Sequence, residues 1–157
     1  MIEGWYSDEH LILFDGAEVT SASERYAISQ FLPGYRVIGL RGWDYFILQD
    51  SVGRTYSVAS VPIIAAHLLP YTLPPAGSTL TPDDRFAGKI KWYVTPTVFG
   101  GDPKLGKNVI WVSHEQHAQL VRWWNGLCRS LTNVPAWAIG SVTAPRSDRQ
   151  FLLDHRA

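Results

Sequence analysis

The chain has 157 residues, with 14 lysines and arginines against 14 aspartates and glutamates, so its formal net charge is zero. That size suits one domain and buries roughly 70% of the surface its unfolded chain exposes. A hydrophobic content of 46% against 18% charged excludes a disordered chain, and the lack of clustered Lys and Arg argues against nucleic acid as a partner.

The first residues, Met1 to Trp5, lack a basic region followed by an apolar stretch, so no secretory leader is expected. Ser7 to Gly16 reads two ways: a short helix capped by Ser7, or a buried strand over Leu11 to Phe14 closed by an Asp-Gly turn. The strand is preferred. Ser21-Ala22-Ser23-Glu24 has the form of a capping box and predicts a helix from Ala22 to about Phe31, stopped by Pro33-Gly34. Arg36 to Gly39, Tyr45 to Asp50 and Arg54 to Val58 read as strands, the last two joined by the glycine-containing loop Ser51-Val52-Gly53. So short a connection requires antiparallel pairing. Pro62, after Ser60, predicts a helix through Leu69. On it His67 reads as an interior or boundary residue. This is also the longest apolar stretch, from Val61, and at far fewer than ~20 residues it cannot cross a membrane. Pro70 to Pro82 reads as a surface loop.

Ile90 to Val94 and Val109 to Val112 read as neighbouring strands. Ser113-His114-Glu115-Gln116 is a second capping box. Apolar residues at Leu120, Val121, Trp124, Leu127, Cys128 and Leu131 then recur at helical spacing. The single cysteine, Cys128, allows no internal disulfide, and on the apolar stripe it behaves as a small hydrophobe. It fits a reducing cytoplasm, the expected location. Residues 1–132 are expected to form one domain and 133–157 a C-terminal tail, packed or partly disordered, with Phe151 to His155 either a brief helical turn or frayed.

Three constellations invite chemistry. Gly101, Gly106 and Lys107 match G-x-x-x-x-G-K-[ST], but Asn108 stands in place of the magnesium-holding hydroxyl and a strand, not a helix, follows. The segment therefore reads as a glycine-rich turn. His114 and His117 are three apart, one short of the zinc-protease spacing, and nothing completes a third ligand. They read as polar residues on an exposed first helical turn. Asp44 and Asp50 flank one strand and could sit near each other. No G-x-S-x-G elbow is present. The reading is a chain with no catalytic, cofactor or metal residues. The seven tryptophans read mostly as packing, with Trp92, Trp111 and Trp124 on core elements and Trp5, Trp43 and Trp137 in loops or ends; some could form an exposed aromatic anchor.

The stretches Leu32 to Gly39, Asp44 to Asp50 and Gly53 to Val58 resemble the central sheet of the SUKH superfamily. Phe99 to Asn108, Trp111 and the helix carrying His117, Leu120, Val121 and Trp124 resemble the closing part of such immunity proteins. The likeness spans roughly Leu11 to Leu131. It implies an α+β fold, a single mostly antiparallel twisted sheet packed against helices. It also implies a non-enzymatic function, binding and neutralising a bacterial toxin as the partner; with the charge balance and the short apolar runs, no cofactor, nucleic acid or membrane is expected. Loop residues Trp43, Asp44, Asp50, Asp102 and Lys104 are the expected partner-binding anchors. The alternatives are a small hydrolase using His114, Glu115 or His117, and a phage or secretion-system adaptor.

Overall fold

A computed structural model of the chain describes residues 1–102, 104 and 106–131. The expected tail, including Trp137 and Phe151 to His155, lies outside them. The fold class is α+β. Six strands form an antiparallel meander in the order β1 (Ile2–Tyr6), β2 (Glu9–Leu13), β3 (Arg36–Arg41), β4 (Tyr45–Gln49), β5 (Thr55–Ala59) and β6 (Leu69–Pro70). Helices α1 (Gly16–Arg25) and α2 (Ile28–Phe31) fill the connection from β2 to β3. Among the described residues, strands β7 (Ile90–Tyr93) and β8 (Val109–Val112) pair only with each other, making a second small sheet, and α3 (His114–Leu131) closes the described chain.

Strand alternation decides what lies on each face. Ile12, Leu40, Phe46, Leu48 and Val58 point to one side of the large sheet, where α1, α3 and the inner face of the small sheet cover them with Ala22, Ala118, Val121, Ile90, Trp92 and Ile110. Leu11 and Ile47 point to the other side, under Leu80, Tyr71 and Leu73. The proline-rich loop is therefore a strap over the second face. Its far end is tied down by the mutual backbone hydrogen bonds of Trp5 and Thr81, both 2.8 Å.

Several local readings hold. Ser7 to Phe14 contains a strand, the Ser51-Val52-Gly53 loop joins β4 to β5 with Gly53 at φ 92°, and Ser113 caps α3 reciprocally with Gln116. Others change. Trp5, expected in a loop or chain end, belongs to β1. The first helix starts at Gly16, because Asp15 caps it: the Asp15 side chain accepts from the Glu18 amide at 3.0 Å, and the Glu18 carboxylate accepts from the Asp15 amide at 2.9 Å. Ser21 donates back to the Glu18 carbonyl instead of capping a helix. Ala27, at φ 52°, separates α1 from α2.

No helix follows Pro62. Ala65–His67 make one 3-10 turn, and His67 is exposed. The reason lies in α3. Asn125, 2% exposed, accepts the Ile63 amide at 2.7 Å and donates to the Ser60 carbonyl at 2.7 Å, fixing this segment as an extended tether. Asn125→Ala leaves two backbone groups, one buried and one part-buried, without their partner, so a loss of about 2 kcal/mol is expected in urea unfolding. An unchanged midpoint would show that the tether contributes nothing.

Candidate functional site

The site grows from the turn between β3 and β4. Gly42 and Trp43 both have positive φ, 55° and 62°. Glycine adopts that region freely, whereas a bulky residue does so only when its surroundings hold it there. Here the Gly42 amide donates to the His10 carbonyl and the Asp44 amide to the Gly42 carbonyl, both at 2.8 Å. The Trp43 indole stacks on His10 at 4.5 Å and 17°. A left-handed tryptophan at a turn marks a place where shape has been favoured over local backbone preference.

Around Trp43 the small sheet and the neighbouring loop add aromatic rings. Period-2 alternation puts Ile90, Trp92, Ile110 and Val112 into the core and turns Lys91, Tyr93 and Trp111 outward. Trp111 meets Trp43 edge-on at 5.2 Å and stacks on Phe86 at 4.7 Å. Trp5 meets Trp43 edge-on at 6.0 Å. The Trp5 indole N–H donates to Asp83 at 3.0 Å, and Asp83 also pairs with Arg85 at 2.8 Å, which holds its carboxyl well below the usual range. Arg85 in turn lies 4.8 Å from the Phe86 ring. Trp5, Trp43, Phe86 and Trp111 are all half-buried. They form a continuous aromatic patch in which each ring packs against at least one other. His10, inside it, is 2% exposed, and burial pushes its pKa down.

At one border of this patch lies a cleft of about 270 Å³ lined by Trp43, Asp44, Tyr45, Ser60, Trp92 and Tyr93, among others. Burial raises the Asp44 carboxyl above its usual range, only partly offset by the Lys91 charge and a hydrogen bond from Tyr93. Lys91 Nζ is 3.4 Å from Asp44, 5.0 Å from the Tyr93 ring centre and 5.7 Å from that of Trp43. Burial works against the Lys91 ammonium, but its hydrogen bond with Tyr93 and the Asp44 charge win, so its pKa is raised.

No known protein family, curated protein or solved structure matches the chain.

Of the five expected anchors, Trp43 and Asp44 fall in this site. Asp50 does not. It sits at the other end of β4, roughly 20 Å of strand away from Asp44, where it accepts the Val52 and Arg54 amides and pairs with the Arg54 guanidinium at 2.8 Å. The two aspartates are therefore not neighbours. Asp102 and Lys104 lie in a third place, the exposed loop before β8, where the Asp102 carboxylate accepts the Lys104 amide. That loop is organised by Asn108, the residue that breaks the nucleotide-binding pattern: its side chain accepts the Thr95 amide and donates to the carbonyls of Thr95 and Asp102.

The expected histidine pair also changes. His117 is 1% exposed and its Nδ1 lies 2.7 Å from the Tyr26 hydroxyl, so it is a core residue and not part of an exposed turn. Glu115 faces solvent. Among the described residues no group of three or more His, Cys, Asp or Glu stands close enough to hold a metal ion, and no helix is long and apolar enough to cross a membrane. Cys128 is half-buried, and burial pushes its thiol pKa up, away from the reactive thiolate.

Sequence reasoning missed Trp5, His10, Phe86, Lys91 and Trp111 as members of one patch. The alternation Ile90-Lys91-Trp92-Tyr93 does carry a signal, since it separates a core face from an outer face. Applied to Val109 to Val112, the same rule turns Trp111 outward once Ile110 and Val112 are inward.

Proposed function

We propose that the chain is a non-catalytic binding protein of the immunity type, which neutralises a bacterial protein toxin by covering its active site. The observation that carries this reading is the packed, half-buried aromatic patch around the left-handed Trp43. Tryptophans with an arginine at the border are the composition of binding hot spots, because large rings bury much area while losing little rotamer freedom. The likeness to the SUKH superfamily agrees with it. On this reading the protein works in the cytoplasm, where Cys128 stays reduced, and meets its partner over an interface of about 1,600 Å². A net charge of zero favours shape matching over long-range steering.

The test is co-expression with a toxic domain, should one be found encoded beside this chain. Wild-type protein is expected to restore growth and to co-purify as a complex. The double substitution Phe86→Ala with Trp111→Ala is expected to weaken that complex about 100-fold or more, while circular dichroism shows the fold intact. A folded double variant that protects as well as wild type places the interface elsewhere. A chain that binds no such domain overturns the reading.

A further inference from the structure

The cleft beside the patch has a specific chemistry. Among the described residues lining it Asp44 is the one that is charged, and Trp43, Tyr45, Trp92 and Tyr93 are the aromatic ones. The Asp44 side chain keeps 35% of its surface accessible. A cation already exploits two of these rings, since Lys91 lies over Trp43 and Tyr93 and against Asp44. That pair offsets burial only in part: with Lys91 and Tyr93 beside it, the Asp44 carboxyl stays above its usual range. The volume, about 270 Å³, lies at or below the lower limit for drug-sized ligands, ~300 Å³. It suits one long side chain.

We propose that this cleft receives an arginine side chain of the partner protein, its guanidinium pairing with Asp44 and lying against the Trp43 and Tyr93 rings. Arginine suits it better than lysine, because a planar fork stacks on rings and pairs with a carboxylate at the same time. The chain uses that geometry within itself: Arg41 lies 4.9 Å from the Tyr71 ring and 5.5 Å from that of Tyr45, and Arg85 lies 4.8 Å from Phe86. The inference rests on the partner-binding reading and adds the partner's chemistry to it.

The probe is N-acetyl-arginine amide, titrated into the full chain and followed by tryptophan fluorescence and amide chemical shifts, with N-acetyl-glutamine amide as control. Wild type is expected to bind the arginine probe with a Kd of ~1–10 mM, the strength of one cation–ring contact plus one ion pair. Asp44→Asn is expected to weaken it about tenfold or more, and Lys91→Met, which removes the internal competitor, to tighten it by about tenfold. No saturable response, equal response to the glutamine probe, or an unchanged Kd in Asp44→Asn overturns the proposal. Micromolar binding of the free probe also overturns it, by making the cleft a small-molecule site. If the toxin complex forms and Asp44→Asn leaves its Kd unchanged, the cleft assignment falls and the aromatic interface stands. If Phe86→Ala with Trp111→Ala has no effect on the complex, the interface reading falls whatever the titration gives.

Discussion

Acidification is expected to destabilise the fold through His117, by about 2 kcal/mol at pH 5 and about 3 kcal/mol at pH 4 relative to pH 7. Burial drives the His117 pKa down to about 3, and the nearby His114 adds to the effect. In the unfolded chain the same imidazole titrates near 6.5. Between those two values the unfolded state takes up a proton that the folded state refuses, so stability present above pH 6.5 is lost as pH falls toward 3. Two other histidines, His10 and His114, are also held down by burial and act in the same direction. The depressed carboxyls Glu9, Asp15, Asp50 and Asp83 act only lower, near and below their unfolded values of about 4. Asp44, raised by burial, works the other way, since its folded form accepts a proton more readily. The window from pH 6.5 to 5 therefore belongs to histidine.

The Tyr26 hydroxyl provides the control. Its pKa is raised by burial, so it keeps its proton and shares a hydrogen bond of 2.7 Å with Nδ1 of the neutral His117 ring. His117→Leu alone leaves that hydroxyl buried without a partner and is expected to cost about 1–3 kcal/mol at pH 7. The pair His117→Leu with Tyr26→Phe removes both ends and is expected to recover most of that loss. Urea unfolding at a series of pH values reads both effects. The double variant should show a flatter acid limb between pH 6.5 and 5. An acid limb as steep as that of the wild type would mean that His117 reaches water in the folded state.

The parts of this fold that were legible in the sequence are those where local rules act alone. The Ser113 cap and the Gly53 hairpin depend on residues within four positions of one another, and both appear as read. The first helix went wrong because two competing caps lie six residues apart. Asp15 wins by capturing the Glu18 amide, and Ser21, inside the helix, then turns its hydroxyl to a carbonyl. The expected Pro62 helix failed for a long-range reason. Asn125 sits 62 positions from Ile63, and nothing near Pro62 announces that its amide bond goes there. The site follows the same division. Trp43 and Asp44 stood out because a turn displays them. The patch as a whole joins β1, β2, β8 and two loops, so only the folded topology brings Trp5, His10, Phe86 and Trp111 together. His117 was misplaced because the phase of an amphipathic helix near its start depends on which elements pack there, here Tyr26 of the C-terminal cap of α1 and Trp92 of β7.

Gly39→Ala is expected to cost about 3 kcal/mol or more and to lower the melting temperature by roughly 10 °C. Gly39 pairs with Leu13 of β2 and Ile47 of β4, next to an irregularity in register between Val37 and Gly39. A Cβ there would lie 2.4 Å from the Ile12 carbonyl oxygen and 3.1 Å from a Leu13 methyl carbon. The first neighbour is backbone in the middle of the large sheet, so it cannot swing aside as a side chain would. Relief requires β2 and β3 to separate, which strains their ladder and loosens Ile12 and Leu40 in the core. The effect should reach the partner surface too, because β2 carries His10, whose ring supports Trp43. Gly16→Ala separates this steric cost from the general effect of replacing glycine. Gly16 opens α1, an added Cβ meets nothing within 4 Å, and its φ needs no glycine, so that variant is expected to be neutral or about 0.5 kcal/mol more stable. Thermal melts of the two variants side by side decide the matter. Matching melting temperatures would mean that the backbones at Ile12 and Gly39 do not approach as closely as described.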